Sequence, residues 1–298
     1  MIRLYNRLKK YIIILLFIIK IPQIYLYIKN FFFKNHIKII NYHNFYENDL
    51  MNFEKQINFI LKYYQICDYK NFKNFFYDTK NINTKPLIIF SFDDGLVSHY
   101  KFVAPILKKY GITGWFFIPT KFIESNLDKE NLKNTFNGTI ESLIPKKLIK
   151  TINRDFMNWD EINNLLYENH VIGSHTHDHI RLIDNLPIKI INDQIILSKN
   201  IIESKTKVKL SLFCWVGGEE YSYGKSTYKK IIQNYEYAFS TNFKNIYKNN
   251  NKYMLDRTNI EADYSWPFFI FYFSGIMDLF YFFKRRRLKI KLKDDIFD

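Results

Sequence analysis

Short, continuous apolar runs punctuate the chain: "HIKIINYH" (36–43), "PLIIFSF" (86–92), "TGWFFIP" (113–119), "HVIGSH" (170–175), "LSLFCW" (210–215) and "YAFSTN" (237–242). Each has the length and bounding residues of a strand. Residues 51–64, 102–111, 158–169, 192–205 and 228–235 instead carry apolar side chains three and four positions apart, the spacing of a helix with one buried face. Gly111 supplies a stop for the second of these. Strands alternating with helices predict a parallel α/β fold, whose chemistry gathers at the C-terminal ends of the strands. Residues 120–156, rich in Asn and Lys, interrupt the pattern and read as a surface excursion. No internal repeat is visible.

Both flanks of this core are apolar and basic. Four basic residues precede the apolar run 11–19; Lys20 and Pro22 interrupt it, and it resumes over 24–28. No small-residue cleavage site follows, so a removed signal peptide does not fit. The stretch reads as a membrane-embedded or interfacial anchor, with a single span as the competing reading and the basic flank on the cytoplasmic side. Residues 268–283 are nearly all apolar and lead into the basic block 284–287. They read either as an aromatic segment lying on a bilayer or as a buried helix with a solvated basic tail. The expected organisation is an anchor over 1–35, a catalytic domain over 36–263, and an aromatic segment with basic tail over 264–298.

The 298 residues carry 44 Lys+Arg against 29 Asp+Glu, a net +15. Such a charge suits an anionic partner, namely a membrane surface, nucleic acid or acidic glycan. The same excess also arises from a composition dominated by Ile, Lys, Asn, Phe and Tyr. No nucleic-acid-reading motif is present, and a nucleic-acid partner is not expected. Two distant cysteines, Cys67 and Cys214, make no disulfide framework.

Two strand ends carry candidate chemistry. "SFDDG" (91–95) sets Asp93 and Asp94 side by side, although Asp and Gly also make ordinary turns. "GSHTHDH" (173–179) holds three of the chain's 7 histidines. In a helical turn His175 and His179 would share a face and His177 would point away. Two imidazoles and a carboxylate give three protein ligands to a divalent cation and leave a position open, as in catalytic zinc sites. A polar loop with merely hydrogen-bonded histidines is the alternative for that stretch alone.

With "IINYH", "FSFDDG…PILKKYGITGWFFIPT", "MNWDEINNLLYENHVIGSHTHDH" and "FCWVGG" in this order, the chain resembles the polysaccharide deacetylases, carbohydrate esterase family 4, over roughly residues 37–260. The resemblance implies a distorted (β/α) barrel of fewer than eight strands. It also implies metal-dependent removal of an N-acetyl group from an amino sugar. By it, Asp93 is the general base, and Asp94, His175 and His179 hold the cation: Zn²⁺ first, Co²⁺ or another divalent ion as alternatives. Thr176 pins the loop by a hydrogen bond. Gly217 offers its N–H to the oxyanion, while Trp215 and Tyr221 wall the sugar pocket. Val216 stands where the family usually has proline.

No histidine follows His179, so the late histidine that many members use as general acid is absent. "LDRTNIEAD" (255–263) offers Arg257 to orient Asp93, together with Glu261 and Asp263. His43 is a candidate for substrate contact or proton donation, or else structural. The expected activity is N-deacetylation of a cell-surface glycan or its lipid-linked precursor at a membrane. The competing expectation is a deacetylase-like domain that binds metal and sugar with little turnover.

Overall fold

The computed structural model describes residues 2–77, 84–124 and 156–293. Helices α1 (Ile2–Ile18) and α2 (Ile21–Phe32) precede β1 (Ile37–Tyr42). Next come α3 (Leu50–Tyr63), β2 (Gln65–Ile66), α4 (Tyr69–Tyr77) and β3 (Leu87–Phe92). They are followed by α5 (Ala104–Lys109), β4 (Gly114–Ile118), α6 (Thr120–Glu124), α7 (Trp159–Tyr167) and β5 (Val171–Ser174). The chain continues through α8 (Ile188–Asn192), α9 (Ser198–Thr206), β6 (Leu212–Cys214), α10 (Lys225–Asn234) and β7 (Tyr237–Ser240). It ends with β8 (Leu255–Asp256), β9 (Thr258–Asn259), α11 (Trp266–Ser274), α12 (Met277–Phe280) and α13 (Phe282–Lys293).

Eight strands form one parallel path, β8-β7-β6-β5-β4-β3-β1-β9, and β2 pairs with the first residues of β3. The ends of the path, β8 and β9, are two halves of the stretch 255–259, divided by Arg257. One half pairs with β7 and the other with β1, so this single stretch closes the barrel. The result is the distorted, nearly closed (β/α) barrel expected, with seven chain segments as its staves.

The strands are buried on both faces, which explains their unbroken apolar sequences. Alternation sorts the side chains. Ile37, Ile39, Leu87, Ile89, Trp115, Phe117, Leu212, Tyr237, Phe239 and Leu255 form the cluster inside the barrel. Phe72 and Phe75 of α4 join it and plug the N-terminal end, Phe72 lying 4.9 Å from the rings of Trp115 and Tyr237. The opposite parity, Ile40, Tyr42, Ile88, Phe90, Phe92, Phe116 and Phe213, packs outward under the helices.

The helices expected over 102–111 and 192–205 are present, each continuous with a π segment. Wider π turns, His99–Val103 and Asp193–Leu197, are built into them. Of the excursion expected over 120–156, Thr120–Glu124 is helical and 125–155 lies outside the described residues.

Among the described residues no single helix is long and apolar enough to cross a membrane. Leu8–Ile18 and Ile21–Phe32 reach that composition only jointly, across a 60° bend. The bend falls where Lys20 is left-handed (φ 61°) and Pro22 follows in the first turn of α2. In the C-terminal segment α11 buries Phe269, Ile270, Phe271 and Phe273, packing on α1, α2 and Phe59 of α3. α13 buries Leu288 and Leu292.

Candidate active site

β3 continues the inward parity of Leu87, Ile89 and Ser91 to Asp93, whose N–H donates to the Tyr42 carbonyl at 3.2 Å. Asp94 (φ 75°) and Gly95 (φ 65°) then adopt successive left-handed conformations. This sharp turn brings both carboxylates to one cleft of about 810 Å³. A side chain at Gly95 would also press on Ile123.

β5 delivers His175. The residues after it are not helical, contrary to expectation. Thr176 (φ 69°) and His179 (φ 55°) are left-handed, and these two kinks bring the His175 and His179 rings to 4.8 Å. Outside contacts hold the loop: Thr120 N–H donates to the Thr176 carbonyl, Lys121 N–H to the His177 carbonyl, and His177 and Asp178 N–H to Gln194 Oε1. The Thr176 hydroxyl is buried and makes no hydrogen bond among the described residues, so that residue braces the turn through its backbone rather than its side chain. His177 turns aside to the Thr120 hydroxyl, 2.7 Å from its Nδ1.

Asp94 Oδ1 lies 3.0 Å from His179 Nε2 and 3.6 Å from His175 Nε2. The three ligand atoms are all within 4.8 Å of one another. His175 Nδ1 donates to the Cys214 carbonyl at 3.0 Å, which leaves Nε2 as the lone-pair nitrogen. Burial pushes His175 down to about 4, keeping it neutral. Asp94 Oδ1 is buried and accepts no hydrogen bond among the described residues. An orphaned carboxylate oxygen facing two imidazoles fits a divalent cation of the zinc type with three protein ligands. Asp93, His175 and Cys214 also lie close together, but both Asp93 oxygens are already taken.

What takes them is Arg257. Fully buried at the seam of the barrel, it donates from Nη1 to Asp93 Oδ1 (2.8 Å) and from Nη2 to Oδ2 (2.7 Å). Nη1 also reaches Asn41 Oδ1 (2.9 Å), and Asn41 Nδ2 donates to Asp93 Oδ2 (2.9 Å). Ser91 completes this polar layer above the apolar interior. Burial alone would raise Asp93. The Arg257 charge, then His175 and the hydrogen bonds, outweigh it and hold the carboxyl near 2.

His43 projects from the end of β1 into the same cleft, its Nε2 3.9 Å from Asp93 Oδ2 and its Nδ1 3.0 Å from Glu261 Oε1. Burial alone would lower its pKa, but Glu261, then Asp94 and Asp93, raise it to about 9.

The segment after β6 supplies Gly217 (φ 77°), whose N–H meets no acceptor among the described residues. A Cβ there would strike Glu219 and Arg181, which pair bidentately at 3.0 Å. Trp215 lines the cleft with little of its surface: it is 1% exposed, with its indole donating to the Tyr253 carbonyl and its ring packed on Tyr223. Tyr221 is 58% exposed and lies off the cleft. The outer wall is instead Phe243, Tyr281 and Lys284, the last two from the C-terminal segment, with Arg181 opposite. Only their aromatic and basic character marked them in the sequence, and nothing there places them beside strands far earlier in the chain.

A family model described as polysaccharide deacetylase matches residues 80–239, more than half of the chain. The chain belongs to the polysaccharide deacetylase family. Its fold is that of solved deacetylases. One is the Streptococcus pyogenes deacetylase PplD in complex with acetate (16% identity, 78% of this chain and 95% of that one, TM-score 0.60). Others are IcaB from Ammonifex degensii (18%, 80% and 96%, TM-score 0.56) and a de-N-acetylase from Aggregatibacter actinomycetemcomitans (14%, 78% and 97%, TM-score 0.56). No curated protein sequence matches. The matched region carries Asp93, Asp94, His175, His179 and Gly217. In this deacetylase His43, Arg257 and the rim residues Tyr281 and Lys284 fall outside it.

Proposed function

We propose that this carbohydrate deacetylase is a metal-dependent hydrolase removing the acetyl group from an N-acetylated amino sugar of a cell-surface glycan or its lipid-linked precursor. The observation that supports it is the convergence of Asp94, His175 and His179 beside an Asp93 fixed by Arg257. Those three residues would hold a divalent cation, zinc by preference, and such a cation supplies Lewis-acid polarisation of the acetamide carbonyl. Asp93, kept anionic and immobile, accepts the proton of the attacking water. The free N–H of Gly217 donates to the oxygen that becomes anionic as the carbonyl carbon turns tetrahedral. His43, which Glu261 keeps protonated, gives its Nε2 proton to the departing amine, in place of the missing late histidine.

The test is acetate release from N-acetylated hexosamine oligomers by zinc-loaded protein. Asp93→Asn retains the metal, as measured by elemental analysis, and loses about 10²-fold or more in rate. Equal turnover by variant and wild type removes Asp93 from the mechanism. No acetate from any N-acetylated sugar favours the sugar-binding alternative.

A further inference from the structure

The outer wall of the cleft adjoins a run of exposed apolar side chains. The Tyr281 ring lies tilted against Phe243 at 4.7 Å, and Lys284 Nζ donates to the Gly218 carbonyl; both line the pocket. Their neighbours Leu279, Phe280, Phe282 and Phe283 face outward, Phe280 being 69% exposed. α1 reaches this rim: Lys9 lies 5.6 Å over the Tyr272 ring, and Tyr272 contacts Phe243. Along α1, Leu8, Tyr11, Ile12, Leu15, Ile18 and Ile19 are exposed at i, i+3, i+4, i+7, i+10 and i+11, an unbroken apolar face. α2 repeats it with Ile24, Tyr27, Ile28 and Phe31. A monomeric soluble surface seldom carries so extended an apolar area.

Charge says what covers it. Residues 1–46 hold eight Lys or Arg and no acidic residue, and residues 279–293 hold seven and none. Together these two segments equal the whole net charge of +15. A second copy would bring the same positive charge to the contact and be repelled. An anionic bilayer offers an apolar interior and negative headgroups at once.

We infer that α1, α2 and the 279–283 rim seat the protein on an anionic bilayer with the catalytic cleft opening at the lipid interface. Its substrate is then an N-acetylated amino sugar joined through phosphate to a membrane lipid. The sugar enters the cleft while the lipid stays in the bilayer beside Phe280, Phe282 and Phe283. Lys284, on the wall between the two, meets the phosphate. The substrate part of this inference rests on the deacetylase reading above; the docking part does not.

The experiment uses the full chain and the triple variant Phe280→Ser/Phe282→Ser/Phe283→Ser, whose side chains do not line the cleft. Vesicles of phosphatidylcholine alone, or with about a third phosphatidylglycerol, are sedimented with each protein. Wild type partitions at least tenfold more onto the anionic vesicles, and the triple variant loses at least tenfold of that. Acetate release is then compared for a water-soluble N-acetylhexosamine oligomer, a polyprenyl-phosphate-linked N-acetylhexosamine in vesicles, and a neutral N-acetylhexosamine glycolipid in vesicles. Wild type turns over the phosphate-linked sugar at least tenfold faster than either other. The triple variant loses that advantage while keeping its rate on the soluble oligomer, and Lys284→Ala removes the preference over the neutral glycolipid. Equal partitioning to both vesicles, or partitioning unaffected by the triple variant, overturns the docking. Equal rates on soluble and vesicle-borne sugars overturn the substrate class and leave the deacetylase reading standing. No acetate from any sugar defeats the deacetylase reading, and with it the substrate class, while the sedimentation result still decides the docking.

Discussion

Arg257 and Asp93 form a buried, bidentate ion pair. Losing one partner of such a pair typically costs about 3–5 kcal/mol, because a charge is left buried and uncompensated. Arg257→Met should lower the urea midpoint accordingly. Arg257→Lys keeps a charge but not the two-pronged geometry. With the bidentate contact gone, burial dominates Asp93 and its pKa rises from about 2. The acid limb of the rate–pH profile of Arg257→Lys should therefore move to higher pH; an unmoved limb would show that Arg257 does not set the state of Asp93. At this scale the sequence was most readable where motif and spacing coincide, at Asp93, Asp94, His175 and His179. It misled at Tyr221, because an aromatic ring next to a motif can face solvent as readily as line a pocket. It left out Asn41, Ser91 and Tyr281, since their positions depend on which strand or helix happens to lie opposite.

Among the elements, β5 depends on a missing side chain. Gly173 faces Phe117 across the β4–β5 pair, and a Cβ there would sit 2.4 Å from the Phe117 ring. Its φ is ordinary, so the constraint is purely steric. Gly173→Ala should cost about 1–3 kcal/mol through overpacking and shift His175, two residues on. Restoring stability with Phe117→Leu in the same chain would identify that ring as the obstacle, whereas no recovery would point elsewhere. The central strands and long helices follow from their apolar period because each buries one or two whole faces. β2, β8 and β9, at two residues each, have no period to read; partners on other strands create them. The His175–His179 approach was expected from helical spacing and is produced by left-handed residues instead, a conformation that Thr and His do not announce.

For the molecule as a whole, buried histidines set the response to acid. Burial lowers His36 to about 3 and His99 to about 4. In the unfolded chain both take up protons near 6.5. Their share of stability is thus complete above pH 6.5 and is lost as the pH falls toward 4, by about 1.4 kcal/mol per pH unit for each. His43, raised to about 9, works the other way: its share is complete below 6.5 and is lost as the pH climbs through 9. Thermal melting in the presence of chelator should show a maximum close to neutrality and a steep fall below pH 6. A midpoint level from pH 7 to 4.5 would be incompatible with neutral His36 and His99 in the folded state. The net positive charge, which looked scattered along the sequence, is concentrated in the two segments that bear the exposed apolar faces. That is visible only once a charge tally is set against what packs on what.

The seam at 255–259 has a consequence for how the protein comes into being. Ile246 bridges β1 at Ile37, and β1 gains its second strand when Thr258 and Asn259 arrive, more than two hundred residues after it is made. Until then the half-built cylinder is open between β1 and β7, and Asp93 lacks its Arg257 partner. The residue that separates the two halves of the closing stretch is the one that holds Asp93. Completing the wall and arming the carboxylate are therefore one event on the ribosome's timetable. A chain still being synthesised carries both motifs and yet has no working site, so newly made protein cannot act on a sugar before its barrel has shut.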